Sequence, residues 1–229
     1  AGVYVLGPRH GRWDSQGRSR PIPISNFPFL ALGSWMLCIG WFGFNVMSAA
    51  TLTGVTGLVA INSLMAMVGG ILFALIISKN DPGFIHNGAL AGLVAICAGS
   101  DKVHPIGAFI IGGLAGVIFV KGFTWEQEKL KIDDVLGAWP LHGLAGTWGG
   151  IACGIFGQEA LGGIGGVSFV GQIVGSVIAI IIAVGFGYAV YKILDASFGI
   201  RLSQEEEQKG SDLTIHNLES YPEDATSRF

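Results

Sequence analysis

No Asp, Glu, Lys or Arg occurs within residues 21–78, 82–100, 103–120, 135–158 or 160–191 of this chain. A bilayer core is crossed by about 20 apolar residues in helical form, so the first of these runs is long enough for two spans. Its natural division is the polar stretch Ser48-Ala-Ala-Thr-Leu-Thr-Gly54. The pattern predicts six helices, roughly over 27–48, 54–78, 84–100, 105–120, 135–157 and 167–191, after a short helical stub at 1–7. The runs lack the period-two alternation of strands, and an open sheet cannot satisfy its backbone in lipid. The expected fold class is therefore all-α: a polytopic helical membrane protein with about six complete transmembrane helices.

The charges left between the spans give the orientation. Threading six helices places Arg9, Arg12, Arg18, Arg20, Lys79, Lys121, Lys129, Lys131, Lys192, Arg201, Lys209 and Arg228 on one side, and Lys102 alone on the other. Short loops rich in Lys and Arg stay cytoplasmic. The loop 8–25 and the C-terminal tail are expected inside, in a plasma membrane or bacterial inner membrane. If the two shortest spans, 84–100 and 105–120, formed a re-entrant pair, the chain would return to the same side and the orientation would stand. Two regions follow: a membrane domain over 1–198 and a cytoplasmic tail over 199–229. The tail, with Ser203-Gln-Glu-Glu-Glu-Gln-Lys209, is read either as a solvated extension or as a segment that docks on neighbouring subunits or a regulator.

Composition agrees with this picture. Of 229 residues 51% are hydrophobic and 13% charged, whereas soluble domains carry nearer a quarter charged. The 37 glycines suit a membrane bundle, where small residues let helices approach closely. Cys38, Cys97 and Cys153 each fall in an apolar stretch on a different predicted helix, so apolar packing is expected rather than a disulfide framework or a zinc site.

Catalytic constellations are lacking. The chain has no Gly-x-Ser-x-Gly, no Walker lysine and no His-Glu-x-x-His, and neither an enzymatic activity nor a metal, a cofactor or a nucleic-acid partner is expected. Asp133 and Asp134 stand at a predicted helix entrance, where acidic side chains favour the N-terminal dipole; a structural, helix-capping role is expected for both. The informative residue is His142, eight positions past Asp134 and so about 12 Å along a helix. It is the one ionisable side chain deep in a predicted span. Two readings are open: a neutral histidine satisfied by a backbone carbonyl in a packed bundle, or a member of a transport pathway. Desolvation favours the uncharged ring, which offers one donor and one acceptor and suits a small polar solute. His86 reads as an interfacial or mouth histidine. His10, His104 and His216 have no partner pattern.

Trp41, Phe44 and Ser48 fall at i, i+3 and i+7, on one helical face. An aromatic surface attracts a cation, and a hydroxyl can accept its hydrogen bond. The alternative is an aromatic belt at the membrane interface.

Gly40-Trp-Phe-Gly-Phe-Asn-Val-Met-Ser-Ala49, Gly88-Ala-Leu-Ala-Gly-Leu-Val-Ala95, His142-Gly143 with the preceding Asp133-Asp134, and Gly199-Ile-Arg-Leu-Ser-Gln-Glu-Glu-Glu207 together resemble the ammonium transporter (Amt/Mep/Rh) family, on its Amt side. The resemblance runs along essentially the whole chain. It implies the second half of an inverted-repeat, eleven-helix transporter, from the end of the fifth helix through the eleventh and the tail. It implies a homotrimer, with ammonium or ammonia passing through a pore within each subunit. His142 then matches the second of two pore histidines, Phe44 one of two stacked gate phenylalanines, Trp41 a pore-proximal tryptophan and Ser48 the hydroxyl of the outer ammonium site. The first pore histidine, the other gate phenylalanine and the outer-site tryptophan would lie on helices preceding this segment. A PII-type signalling protein is the implied cytoplasmic partner, although His216-Asn-Leu-Glu219 stands where the family's tail reads His-Gly-Glu. The alternative within the same fold is a non-conducting ammonium sensor that signals through its tail.

Overall fold

The computed structural model describes residues 1–49 and 54–219. Most of the predicted break at 48–54, and the end of the tail beyond residue 219, lie outside the described residues. Among the described residues the chain is helical, with no strand beyond an isolated bridge between Trp13 and Ser19. The helices are α1 (Gly2–Leu6), α2 (Phe27–Ser48), α3 (Thr56–Ile77), α4 (Pro82–Ile96), α5 (Pro105–Trp125), α6 (Ala145–Phe156), α7 (Phe169–Phe198) and α8 (Gln204–Lys209). A π-helical segment, Glu126–Leu130, extends α5, and a second, Trp139–Leu144, leads without a break into α6. Four helical stretches are long and apolar enough to cross a membrane: Phe27–Ser48, Thr56–Ile77, Pro105–Leu130 and Phe169–Phe198. Pro82–Ile96 is a shorter apolar helix.

The helix starts follow local chemistry. At α2 the Asn26 side chain accepts from Phe29 N with Pro28 in the first turn; Asp81 does the same for Phe84 N beside Pro82 at α4. His104 Nδ1 accepts from Ile106 N at 3.2 Å, ahead of Pro105 at α5. A polar side chain satisfies an otherwise unpaired donor, and proline is pre-set for the first turn. This is why α4 begins at Pro82 rather than 84. At the other ends α5 runs through Lys121 and α7 through Lys192. A lysine can lay its aliphatic stem along an apolar surface, so a charge marks a membrane boundary better than a helix end.

The chain divides into two units. One comprises Pro23–Leu130 and Asp134–Ala183. Its centre is the packing of α3 against α4 and α5 at glycine-lined crossings. A Cβ added at Gly116 of α5 would stand 2.6 Å from the Gly70 carbonyl oxygen of α3, and one at Gly92 of α4 would collide with the Ala66 backbone. Only glycine permits such approaches. Phe119, fully buried, meets Phe84 edge-on at 5.9 Å and Phe123 at 6.1 Å. Two polar side chains tie the helices together: Asn62 donates to the carbonyls of Ser100 (2.9 Å) and Val103 (2.8 Å), and Trp148 Nε1 to that of Ile111 (3.0 Å).

The other unit comprises Ala1–Ile22, Lys131–Asp133 and the residues from Val184 onward. Here Asp133, with 1% of its side chain exposed, receives Arg9 N at 3.0 Å, Arg9 Nε at 2.7 Å and Arg9 Nη2 at 2.9 Å, with Arg12 Nε at 3.4 Å. Burial raises the Asp133 carboxyl, but the hydrogen bonds and positive charge of Arg9, with Arg12 behind it, outweigh that and hold it below the usual carboxylate range. Arg201 donates to the Leu6 carbonyl at 2.6 Å and to Glu207 at 2.9 Å. The helix α8 opens on a reciprocal cap between Ser203 and Glu206, which fits Ser-x-x-Glu at that position.

Candidate functional site

Along α2 one seam carries polar contacts. Ser34, Cys38 and Asn45 are the buried residues of this helix, spaced by roughly one and two turns. Ser34 Oγ lies 3.1 Å from His86 Nδ1 and donates to the Ala31 carbonyl at 2.8 Å. With that hydroxyl proton committed to Ala31, the Ser34 oxygen is left as the acceptor toward the His86 ring. Asn45 donates to Ser63 Oγ at 2.9 Å, and that hydroxyl donates on to the Val59 carbonyl at 2.8 Å.

Trp41 lies on the same helix between Ser34 and Asn45. Its indole stacks on the imidazole of His142, with ring centroids 6.3 Å apart and planes 14° from parallel. Its Nε1 donates to Cys97 Sγ at 3.1 Å. The structure thus brings together two residues 101 positions apart in sequence, one of them the only ionisable group expected deep in a span. His142 sits in the π-helical segment Trp139–Leu144 rather than in a regular α-helix, and π segments widen the turn and re-aim side chains. The segment starts where Asp134 Oδ2 accepts from Trp139 N at 2.8 Å, after Gly137 at φ 69°. That turn is the physical reason the helix begins at Trp139 and not at 135. Asp133 turns to Arg9 and Arg12 instead, so two adjacent aspartates serve different partners.

His142 is exposed, and its ring makes no hydrogen bond among the described residues. The reading of a packed histidine donating to a backbone carbonyl is not what this geometry shows. Phe44 is 59% exposed and Ser48, the last residue of α2, is also exposed. Ser48 stands seven residues beyond Trp41, about 10 Å along the axis. Cys97 is the site residue that sequence reasoning placed in plain apolar packing; it is a half-buried thiol with two hydrogen-bonding partners, Trp41 and the Leu93 carbonyl. An apolar run gives no signal for that, because the contact joins helices 56 residues apart. All three cysteines are free, and the described residues hold no cluster of His, Cys, Asp and Glu suited to a metal ion.

Four helices long and apolar enough to cross a membrane, packed with a shorter helix and a tryptophan-stacked histidine, define a class: a multi-pass helical membrane protein. The chain belongs to the Ammonium Transporter Family, whose model matches residues 1–221. It is 47% identical over 223 residues to the ammonium transporter Amt2 of Methanocaldococcus jannaschii, covering 97% of this chain and 53% of that protein. Amt1 of the same organism is 41% identical over 224 residues, covering 97% and 57%. Among solved structures, a sensor Amt protein superposes with a TM-score of 0.86 at 30% identity, covering 93% of this chain and 55% of that one. The Rh50 protein of Nitrosomonas europaea superposes at 0.54 with 25% identity, covering 94% and 59%. The chain spans about half the length of the curated relatives it matches. Those relatives bear the names of transporters and not of enzymes.

Proposed function

We propose that this chain forms the second half of an ammonium transporter subunit, with Trp41, Phe44, Ser48 and His142 lining one route for ammonium and ammonia. The observation that carries the reading is the stack of Trp41 on an otherwise unbonded His142 in a chain of this family. Ammonium is recruited near Ser48 and an aromatic surface by hydroxyl and cation–π contacts. It loses a proton, passes Phe44 as neutral ammonia and is handed along by the imidazole of His142, whose two nitrogens offer a donor and an acceptor. Stripping water from a cation in an apolar bore is costly unless the charge is removed. Potassium cannot shed a proton, so the route rejects it. The further parts of this proposal are a homotrimer in the cell membrane, the residues 1–198 as membrane domain and 199–229 as cytoplasmic tail, and a PII-type protein docking at the cytoplasmic face. Asp134 holds the entrance of the His142 helix through Trp139 N, while Asp133, expected to share that role, pairs with Arg9 and Arg12.

One observation favours a second reading. The fold superposes well on a sensor Amt protein, so a non-conducting ammonium sensor signalling through the tail is the alternative. Reconstitution of the complete natural protein in liposomes separates the two. Uptake of ammonium above that of empty liposomes supports transport; saturable ammonium binding without uptake supports the sensor.

A further inference from the structure

The indole of Trp41 is held at two points. Its face lies on His142, 6.3 Å between centroids, and its N–H points at Cys97 Sγ, 3.1 Å away. The thiol is itself oriented, since its S–H is given to the Leu93 carbonyl one turn back on α4, at 3.1 Å. With that proton committed, the sulfur lone pairs face the indole. An indole N–H in an apolar surround needs an acceptor, and no other acceptor is paired with Trp41 among the described residues.

We propose that Cys97 is a positioning residue of the transport site: by accepting the Trp41 N–H it sets the indole plane against His142, and so fixes which imidazole edge meets the solute. The inference rests on the reading of Trp41 and His142 as pore residues. Removing the acceptor leaves the ring free to turn about its side-chain torsions, and the stack on His142 loosens with it. Serine keeps an acceptor with a proton for Leu93. Valine keeps the apolar volume and offers neither.

The test uses the complete natural protein in liposomes, as parent, Cys97→Ser and Cys97→Val, with 5-fluorotryptophan incorporated throughout. The Trp41 resonance is assigned by its loss in Trp41→Phe. The expected result is a Trp41 fluorine signal unchanged in Cys97→Ser, but shifted or broadened in Cys97→Val. The same valine variant should change the ratio of ammonium to methylammonium uptake by about threefold to tenfold, the span of one net hydrogen bond. Cys97→Ser should restore the parental ratio, which a role in packing volume alone would not do. A Trp41 signal in Cys97→Val identical to the parent's overturns the proposal. So does a shifted signal with an unchanged uptake ratio, or a serine variant as impaired as the valine one. If His142→Ala leaves uptake unaltered while the fluorine signal still follows the Cys97 acceptor, the pore reading fails and the geometric role of Cys97 stands.

Discussion

Asn62→Ala removes a side chain that bonds twice to the turn between α4 and α5. The Asn62 amide donates to two backbone carbonyls, Ser100 at 2.9 Å and Val103 at 2.8 Å, while its own oxygen is buried without a partner. Its contribution therefore lies wholly in its two donors. Each lost bond leaves a buried carbonyl unsatisfied, at about 1–1.5 kcal/mol apiece, so the variant should lose roughly 2–3 kcal/mol. For a domain of this size each kcal/mol corresponds to about 2–4 °C, and the melting temperature should fall by roughly 4–12 °C. The assay is thermal unfolding of the complete protein in detergent, read as loss of the monodisperse peak. Asn62→Asp serves as the companion variant, with nearly the same shape and no amide donors. It should be at least as damaging. A melting point within about 1 °C of the parent for either variant would refute the claim that these two bonds secure the turn.

Other expectations follow from the same geometry. Gly116→Ala puts a Cβ 2.6 Å from the Gly70 carbonyl oxygen, and overpacking against backbone should destabilise by about 1–3 kcal/mol. Gly175→Ala, which meets no atom within 4 Å, should lack that penalty in the same unfolding assay. Asp134→Ala deprives Trp139 N of its acceptor and should cost about 0.5–2 kcal/mol, the range for a lost helix cap. Asp133, whose carboxyl is held low on balance by Arg9 and Arg12 against the opposing effect of burial, contributes stability that is complete above the ordinary carboxylate range. That contribution fades as pH falls through the depressed value. Asp133→Asn should therefore lower the melting temperature at neutral pH and flatten its fall on the acid side. An unchanged acid limb would count against the pairing.

The spans were legible because lipid leaves a strong imprint: long runs without charge can only be helices that satisfy their own backbone. Helix ends were less so. Lys121 and Lys192 lie inside α5 and α7, and Asp81-Pro82 was the better start signal for α4 than the edge of its apolar core. His142 stood out because an ionisable group in an apolar run is costly and rare. Its partners did not. The stack with Trp41 and the thiol bond from Cys97 depend on how α2, α4 and the Trp139–Leu144 segment meet, which no local pattern encodes. The start of the π-helical segment was equally hidden, since it is marked by Asp134 reaching forward to Trp139 N. Asp133 and Asp134 looked alike as neighbours, and only tertiary contacts separate an ion pair with Arg9 from a cap.

The most direct test of the account compares ammonium uptake, with potassium as competitor, in liposomes holding the complete protein or its His142→Ala variant. The account predicts that the parent takes up ammonium with little inhibition by potassium. In His142→Ala, either the rate falls or potassium becomes an effective competitor. Identical uptake and identical potassium discrimination in both proteins, at equal reconstituted amounts, would contradict the placement of His142 in the route.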